Sequence, residues 1–422
     1  MKIENLKLKN FRNYSDLDIQ FNDRLNIIIG NNAQGKTNIL EAIYFLSITK
    51  SNLLVNDKNC IKKDTLFTRL IGNISDNSGR KKIQILMNIN EKRLEINNNE
   101  IKKHANYIGT LKVIIFNPDD VRLIKETPNN RRRFINIEIS QLHARYLNSL
   151  NEYNIVLKQR NEYLKVIKNG KIDEVYFDIL NEKLVDLAEI IYNYRLDFIN
   201  SLNKYIEKIY NDISGYKGLS IKYIPCIQIN SKDNFKEIML NKLKNNYDRE
   251  IFMGSTLIGP HRDDFSFNLA DNDLLLYGSQ GQIKMAILAL KLSEIDVFYE
   301  ICNEYPVLLL DDLFSELDVE KRNKVINYLN RDIQTIVTTT DLKNIDKRLI
   351  RKAIIYKIDD GKIVETNYKK DVKKNGRKKE WTLWCFRHTG TWRIRSSKKK
   401  TWYVYWYYRF KGITSFSMGN CR

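Results

Sequence analysis

Apolar and polar positions along the 422-residue chain follow two periods, and the switches between them divide it into segments. Leu25-Asn26-Ile27-Ile28-Ile29 is a short, largely apolar run that predicts a buried strand, and Asn38 to Ser47 beyond it predicts a helix. Val307-Leu308-Leu309-Leu310 is wholly apolar, as expected of a parallel strand covered on both faces, and it ends in Asp311 and Asp312. Before it, Gly278-Ser279-Gln280-Gly281-Gln282 opens a predicted amphipathic helix with Ile283, Ala286, Ile287 and Leu290 on one side. Ile336-Val337 predicts another strand, and Asn97-Asn98-Asn99 a turn. In between, apolar residues at 139, 142, 146, 150, 153, 157 and 164, then at 180, 184, 187, 191, 194, 198, 202, 205 and 209, keep spacings of three and four with few exceptions. These two stripes predict a helical hairpin, with Asn169-Gly170 as the reversal. At ~1.5 Å per residue, helices of roughly thirty residues make an arm of about 45 Å.

Between the first strand and its helix, Gly30 to Thr37 reads Gly-Asn-Asn-Ala-Gln-Gly-Lys-Thr, a complete phosphate-binding loop. Its context is what the chemistry needs. The backbone of Gly30, Asn31, Asn32, Ala33, Gln34 and Gly35, with the positive end of the following helix, cradles the phosphates of ATP. Lys36 reaches the β and γ phosphates, and the Thr37 hydroxyl ligates Mg²⁺.

The acids that close Val307–Leu310 give this loop counterparts. Asp311 is the expected Mg²⁺ partner, and Asp312 stands where a carboxylate orients or deprotonates an attacking water, so Asp311, Asp312 and Lys36 form the candidate catalytic set. Ser315-Glu316-Leu317-Asp318 adds an acidic loop. Ser279, Gly281 and Gln282 at a helix start present a hydroxyl and free amides to an anion and can hold a γ-phosphate. The order of phosphate loop, serine-glycine-glutamine signature, acidic strand and acidic loop is that of ABC-type ATPases, in which the signature completes the phosphate site of a second subunit. One loop and one signature per chain imply a head-to-tail homodimer with two ATP sites.

Within that superfamily the chain resembles the RecF family over nearly all of residues 1 to 368. The resemblance rests on Asn10-Phe11-Arg12-Asn13-Tyr14, Asn32-Ala33-Gln34-Gly35-Lys36-Thr37-Asn38 and Leu40-Glu41-Ala42-Ile43. It continues through Arg131-Arg132-Arg133-Phe134, Gln159-Arg160-Asn161, Leu257-Ile258-Gly259-Pro260-His261-Arg262-Asp263-Asp264 and Tyr277-Gly278-Ser279-Gln280-Gly281-Gln282. It implies an α/β, ABC-type P-loop ATPase head with an inserted helical arm, and it adds Arg12 to the nucleotide-contacting residues. The implied activity is that of an ATP-controlled clamp on single-stranded, duplex and gapped DNA, working with recombination mediators to load recombinase at single-strand gaps. Two features bear on it. Asn52-Leu53 follows Lys50-Ser51 where the family usually has an aromatic or His and then Arg. Thr339-Thr340-Asp341 stands where many ABC proteins carry a phosphate-sensing His, which implies slow hydrolysis.

These readings give head halves at 1–125 and 255–368, an arm at 126–254 and a tail at 369–422. The formal charge is +20, but residues 371–422 hold 14 Lys or Arg against 2 acids, leaving +8 for the body. The tail also holds all five tryptophans. Residues 379–390 and 400–413, rewritten as codons and read with one shared single-base offset, can spell segments like the beginning of the B subunit of DNA gyrase. The segment beyond roughly 375 is therefore expected to be an out-of-frame reading, in preference to a basic, aromatic nucleic-acid-binding arm. No apolar run approaches the roughly 18 residues of a membrane span, so a cytoplasmic, nucleoid-associated protein is expected. The scattered cysteines and His104, His143 and His388 give no metal spacing. Arg131 to Arg133 and Arg80 to Lys82 are candidate phosphate contacts or solvated faces. Gly259-Pro260 fixes a tight approach that gives His261 and Arg262 a nucleotide-site or interdomain role. A DNA-organising scaffold of the SMC type is the alternative function, and a transporter motor is disfavoured by the arm.

Overall fold

The computed structural model describes residues 1–53, 56–168, 170, 173–229, 234–329, 332–342 and 350–367, together with strands at 391–395, 402–410 and 413–420; the side chains of 315, 316 and 327 and of the tail strands are outside this description. The chain divides into two compact units, Met1–Tyr368 and Lys369–Arg422. Within the second, strands Thr391–Arg395, Trp402–Phe410 and Ile413–Asn420 pair antiparallel in chain order. Residues 379–390 and the part of 400–413 outside these strands lie outside the described residues, as does Asn169 of the predicted reversal.

The first unit is built on two six-stranded sheets. One is antiparallel in the order β2-β1-β4-β5-β6-β7, made from β1 (Lys2–Phe11), β2 (Tyr14–Gln20), β4 (Phe67–Asp76), β5 (Gly79–Asn88), β6 (Lys92–Ile96) and β7 (Asn99–Glu100). The other runs β15-β14-β3-β13-β12-β8, from β3 (Leu25–Ile29), β8 (Val113–Phe116), β12 (Val307–Asp311), β13 (Thr335–Thr339), β14 (Ile354–Asp359) and β15 (Lys362–Thr366). In it only β15 is antiparallel to its neighbour. The apolar run at Val307 is continuous because both of its faces are covered. Val307 and Leu309 join one core with Ile28, Ile336 and the helix Lys36–Ile48, whereas Leu308 and Leu310 join another with Ile27, Val337 and the helix Gln280–Cys302. Alternation across a pleat thus feeds two cores from one run.

Helix Lys36–Ile48 is sandwiched between the two sheets, so residues 39 to 48 are buried on every side. Helix Gln280–Cys302 departs from the expected amphipathic pattern. Met285, Leu288, Ala289 and Leu292 are buried as well as the predicted face, because the sheet lies under the helix and the insertion over it.

The predicted hairpin is present as helices Ala144–Ile167 and Glu174–Ser214, preceded by Pro128–Leu142. The longer one spans 41 residues, ~60 Å. It does not project freely. Leu184, Ile191, Phe198, Leu202 and Ile206 belong to the same core as Ile287 and Leu290 of the helix beneath. After it, β9 (Leu219–Ile224) pairs antiparallel with β10 (Asp264–Leu269), which also carries β11 (Asn272–Asp273). The insertion therefore leaves and re-enters the head through shared core and shared sheet.

Candidate functional site

The phosphate loop leaves β3 at the carboxyl edge of the parallel sheet, where strand ends deliver side chains into an open crevice. Gly30 is held so close to β14 that a Cβ there would collide with the Ile358 carbonyl. Ala33 and Gly35 take left-handed backbone, at φ 65° and 102°. A Cβ at Gly35 would stand 2.5 Å from Asn13 Nδ2. Asn13 Nδ2 donates to the Gln34 carbonyl at 3.2 Å, and the buried Tyr14 hydroxyl donates to the Gly35 carbonyl at 3.0 Å. From the other side the Gly361 and Asp360 amides donate to the Gln34 carbonyl and Oε1. Loop shape is thus dictated by residues on both sides of it.

Lys36 is buried, and its ammonium donates to the Gly30 and Asn31 carbonyls at 2.7 and 2.8 Å. Burial lowers its pKa, and the negative charges of Asp312 and Asp311 oppose the shift. The Thr37 hydroxyl donates to Asp311 Oδ1 at 3.0 Å, and the Thr338 hydroxyl at the end of β13 donates to the same atom at 2.5 Å. Burial raises the Asp311 pKa, while these two hydroxyls and Lys36 pull it back. Asp312 turns out of the strand with a left-handed φ of 47°, and its amide donates to Thr338 Oγ1 at 3.0 Å. A buried ammonium, a threonine hydroxyl and a carboxylate converge here. They are the donors suited to a polyphosphate and a hard divalent cation, so ATP with Mg²⁺ fits them.

Ser279 caps helix Gln280–Cys302 by accepting from the Gln282 amide at 3.2 Å, while Gln282 Oε1 accepts from the Ser279 amide at 2.9 Å. Ser279, Gln280 and Gly281 are exposed, and nothing lies within 4 Å of where a Gly281 Cβ would be. Leu276 and Tyr277 beside them are 71% and 73% exposed, so the signature stands on an open, partly apolar surface.

Other sequence candidates are committed inside the molecule. Arg12 forms two hydrogen bonds to the buried Glu41, at 2.6 and 2.9 Å, while its neighbours Asn13 and Tyr14 hold the loop. Arg131 is a correction to the phosphate-contact reading. It is buried, bonded twice to Asp264 at 2.6 and 2.8 Å, and donates to the carbonyls of Leu123, Ile124 and Glu126. Arg132 donates to the Asp263 carbonyl, Arg133 to that of Ser51, Arg80 to Glu4, Lys81 to Asp76 and Lys82 to Asn98.

His261 sits against helix Ala144–Ile167. One ring nitrogen is 2.7 Å from the Tyr153 hydroxyl on the insertion, the other 3.0 Å from the Thr256 carbonyl. Burial pushes its pKa down to about 4. Beside it Arg195 donates to the Pro260 carbonyl at 2.7 Å and to Asp263 at 3.2 Å, and Asp263 also accepts from Tyr223 and from the Cys226 amide. This buried network joins the long helix to the segment that returns to the head.

The turn Asn117 to Asp120 went unread in the sequence, yet it lines a cleft with Asp311 and the buried Lys291. A signal was present. Val113-Ile114-Ile115-Phe116 followed by two acids at 119 and 120 repeats the form of Val307 to Asp312.

The fold and this site define an ABC-type P-loop ATPase head. The family described as RecF/RecN/SMC N terminal domain matches residues 2–361. A protein of Ligilactobacillus salivarius named DNA replication and repair protein RecF is 42% identical over 374 residues, covering 87% of this chain and 98% of that relative. One of Lactobacillus acidophilus with the same name is 40% identical, with 86% and 98% covered. A solved structure of the recombination mediator protein RecF-ATP in the RecFOR pathway has a TM-score of 0.81 and 31% identity, covering 87% of this chain and 97% of that one. The chain belongs to the RecF family.

Proposed function

We propose that this protein is an ATP-dependent DNA-binding clamp acting in recombinational repair of single-strand gaps and in replication. Two copies meet head to tail, each Ser279 signature facing the other copy's phosphate loop, and slow, DNA-stimulated hydrolysis separates them. The reading rests above all on the contact of Thr37 with Asp311, which puts the loop and the acidic strand in one site within a RecF-family chain. Gly30 to Thr37 hold the nucleotide, and Thr37 with Asp311 hold Mg²⁺, which supplies charge neutralisation at the phosphates when bound. Asp312 positions the attacking water. The head halves 1–125 and 255–368 carry the nucleotide, the insertion 126–254 meets DNA, and recombination mediators are the protein partners. The exposed Leu276 and Tyr277 support a surface that is covered in the dimer.

The test is sedimentation with and without ATP and Mg²⁺, paired with phosphate release in the presence of gapped, duplex and single-stranded DNA. ATP-dependent dimers and faster turnover on gapped DNA are expected. A chain that stays monomeric with ATP and turns over at one rate on all DNA would overturn the clamp.

A further inference from the structure

A cleft of about 900 Å³ opens between the head and the insertion, bounded by Lys50 at the end of the loop helix, by Lys103 and His104, and by helices Pro128–Leu142 and Ala144–Ile167. None of its described lining residues is Asp or Glu. Some of its cations are already spent, since Arg195 and Arg132 bond Asp263 and Arg133 bonds Ser51. Lys50 and Lys103 are different. Both are exposed, and among the described residues neither ammonium has a hydrogen-bond or ion-pair partner. The facing wall carries Asn148, Asn151 and Asn154, three exposed amides at a spacing of three on one helix. Side chains three apart share a helix face, so these form a ladder along the cleft.

An acid-free cleft with unspent ammonium groups and an amide ladder selects a ligand that presents repeated anionic and hydroxyl-like oxygens. The only aromatic ring in the lining apart from histidine, Tyr153, is buried and bonded to His261, so the cleft has no platform for stacking bases. Amides and lysines without such a platform are the groups that bind sugar and phosphate and carry no sequence preference.

We propose that this cleft holds the sugar-phosphate backbone of a single DNA strand, with Lys50 and Lys103 at phosphates and Asn148, Asn151 and Asn154 bonding backbone oxygens. The proposal rests on the DNA-binding function above and names the surface that performs part of it.

The test measures binding of an oligothymidylate to the full chain over a series of salt concentrations, for the wild type, Lys50→Glu/Lys103→Glu and the control Lys217→Glu/Lys222→Glu, which makes the same charge change outside the cleft. Each lost phosphate contact on a single strand lowers the salt slope by ~0.7, so the cleft variant is expected to lose about 1.4 from the slope and the control none. Lys50→Gln/Lys103→Gln gives the same result should charge reversal disturb folding, and ATP binding checks the fold throughout. Equal losses in cleft and control variants, or none in either, would overturn the cleft while leaving DNA binding itself intact. A wild-type chain that binds no single strand at any salt would overturn the proposed function as well.

Discussion

The Thr37 hydroxyl donates to Asp311 at 3.0 Å across a separation of 274 residues. The two meet because β3, β13 and β12 are successive parallel strands, so everything leaving their carboxyl ends enters one crevice. The middle strand adds Thr338, whose hydroxyl fixes the same oxygen of Asp311 and receives the Asp312 amide.

That arrangement separates the two acids. Asp311→Asn should weaken Mg²⁺-nucleotide binding, whereas Asp312→Asn should retain ATP and accumulate ATP-bound dimer. Thr338→Val, which removes the hydroxyl that supports Asp311 and accepts from the Asp312 amide, should cost roughly 10–100-fold in Mg²⁺ affinity. Titration calorimetry with and without Mg²⁺ reads all three, and equal loss of nucleotide affinity in both Asp variants would contradict the division.

Ser279 presents a hydroxyl at an exposed helix start whose capping box leaves the surface open. Ser279→Arg should keep ATP binding by the monomer, since Lys36 and Thr37 are untouched, and abolish ATP-induced dimers by filling the space shared with the opposing phosphates. Undiminished dimerisation on sedimentation would argue against a composite site.

Loss of Arg131 should be felt in folding rather than in DNA binding. Arg131→Ala leaves the Asp264 carboxylate and three carbonyls without this donor, and because Asp264 is 24% exposed the loss should fall below the roughly 3–5 kcal/mol of a fully buried pair. Denaturant unfolding should show that loss. The salt slope of DNA binding by the folded fraction should not change, as it would if Arg131 met phosphate.

His261 makes stability fall with acid. Its folded pKa of about 4 lies below the ordinary value of about 6.5, so between those pH values the unfolded chain holds a proton that the folded chain refuses. Stability contributed by the neutral ring is complete above about pH 6.5 and is lost as pH falls towards 4, by up to about 3 kcal/mol. His261→Gln should flatten that part of the stability profile; an unchanged slope would assign the acid sensitivity elsewhere.

Local sequence carried much of the site. The spacing Gly30 to Thr37 between an apolar run and a helix, and the acids closing Val307 to Leu310, are short-range patterns that backbone geometry turns directly into a loop and a strand end. The stripes from 139 to 209 likewise specified the hairpin, because a 3.6-residue period depends on nothing outside the helix. Composition could not say which of several like residues is used for what. Arg131, Arg132 and Arg133 are indistinguishable in a row of three, yet helical rotation buries the first against Asp264 and sends the third to Ser51.

What the sequence determined by itself were the elements and the chemistry each one carries, since propensity, periodicity and the phosphate-loop spacing are local properties. What only the tertiary structure decided was which carriers meet. Strand order brought Thr338 between Thr37 and Asp311, and sheet pairing put Asn13 and Tyr14, rather than Arg12, against the loop. Packing of the insertion on helix Gln280–Cys302 joined the predicted arm to the head's core and set Tyr153 of the insertion against His261. These contacts join residues tens to hundreds of positions apart, and their existence follows from the burial of whole faces, which no local window of sequence encodes.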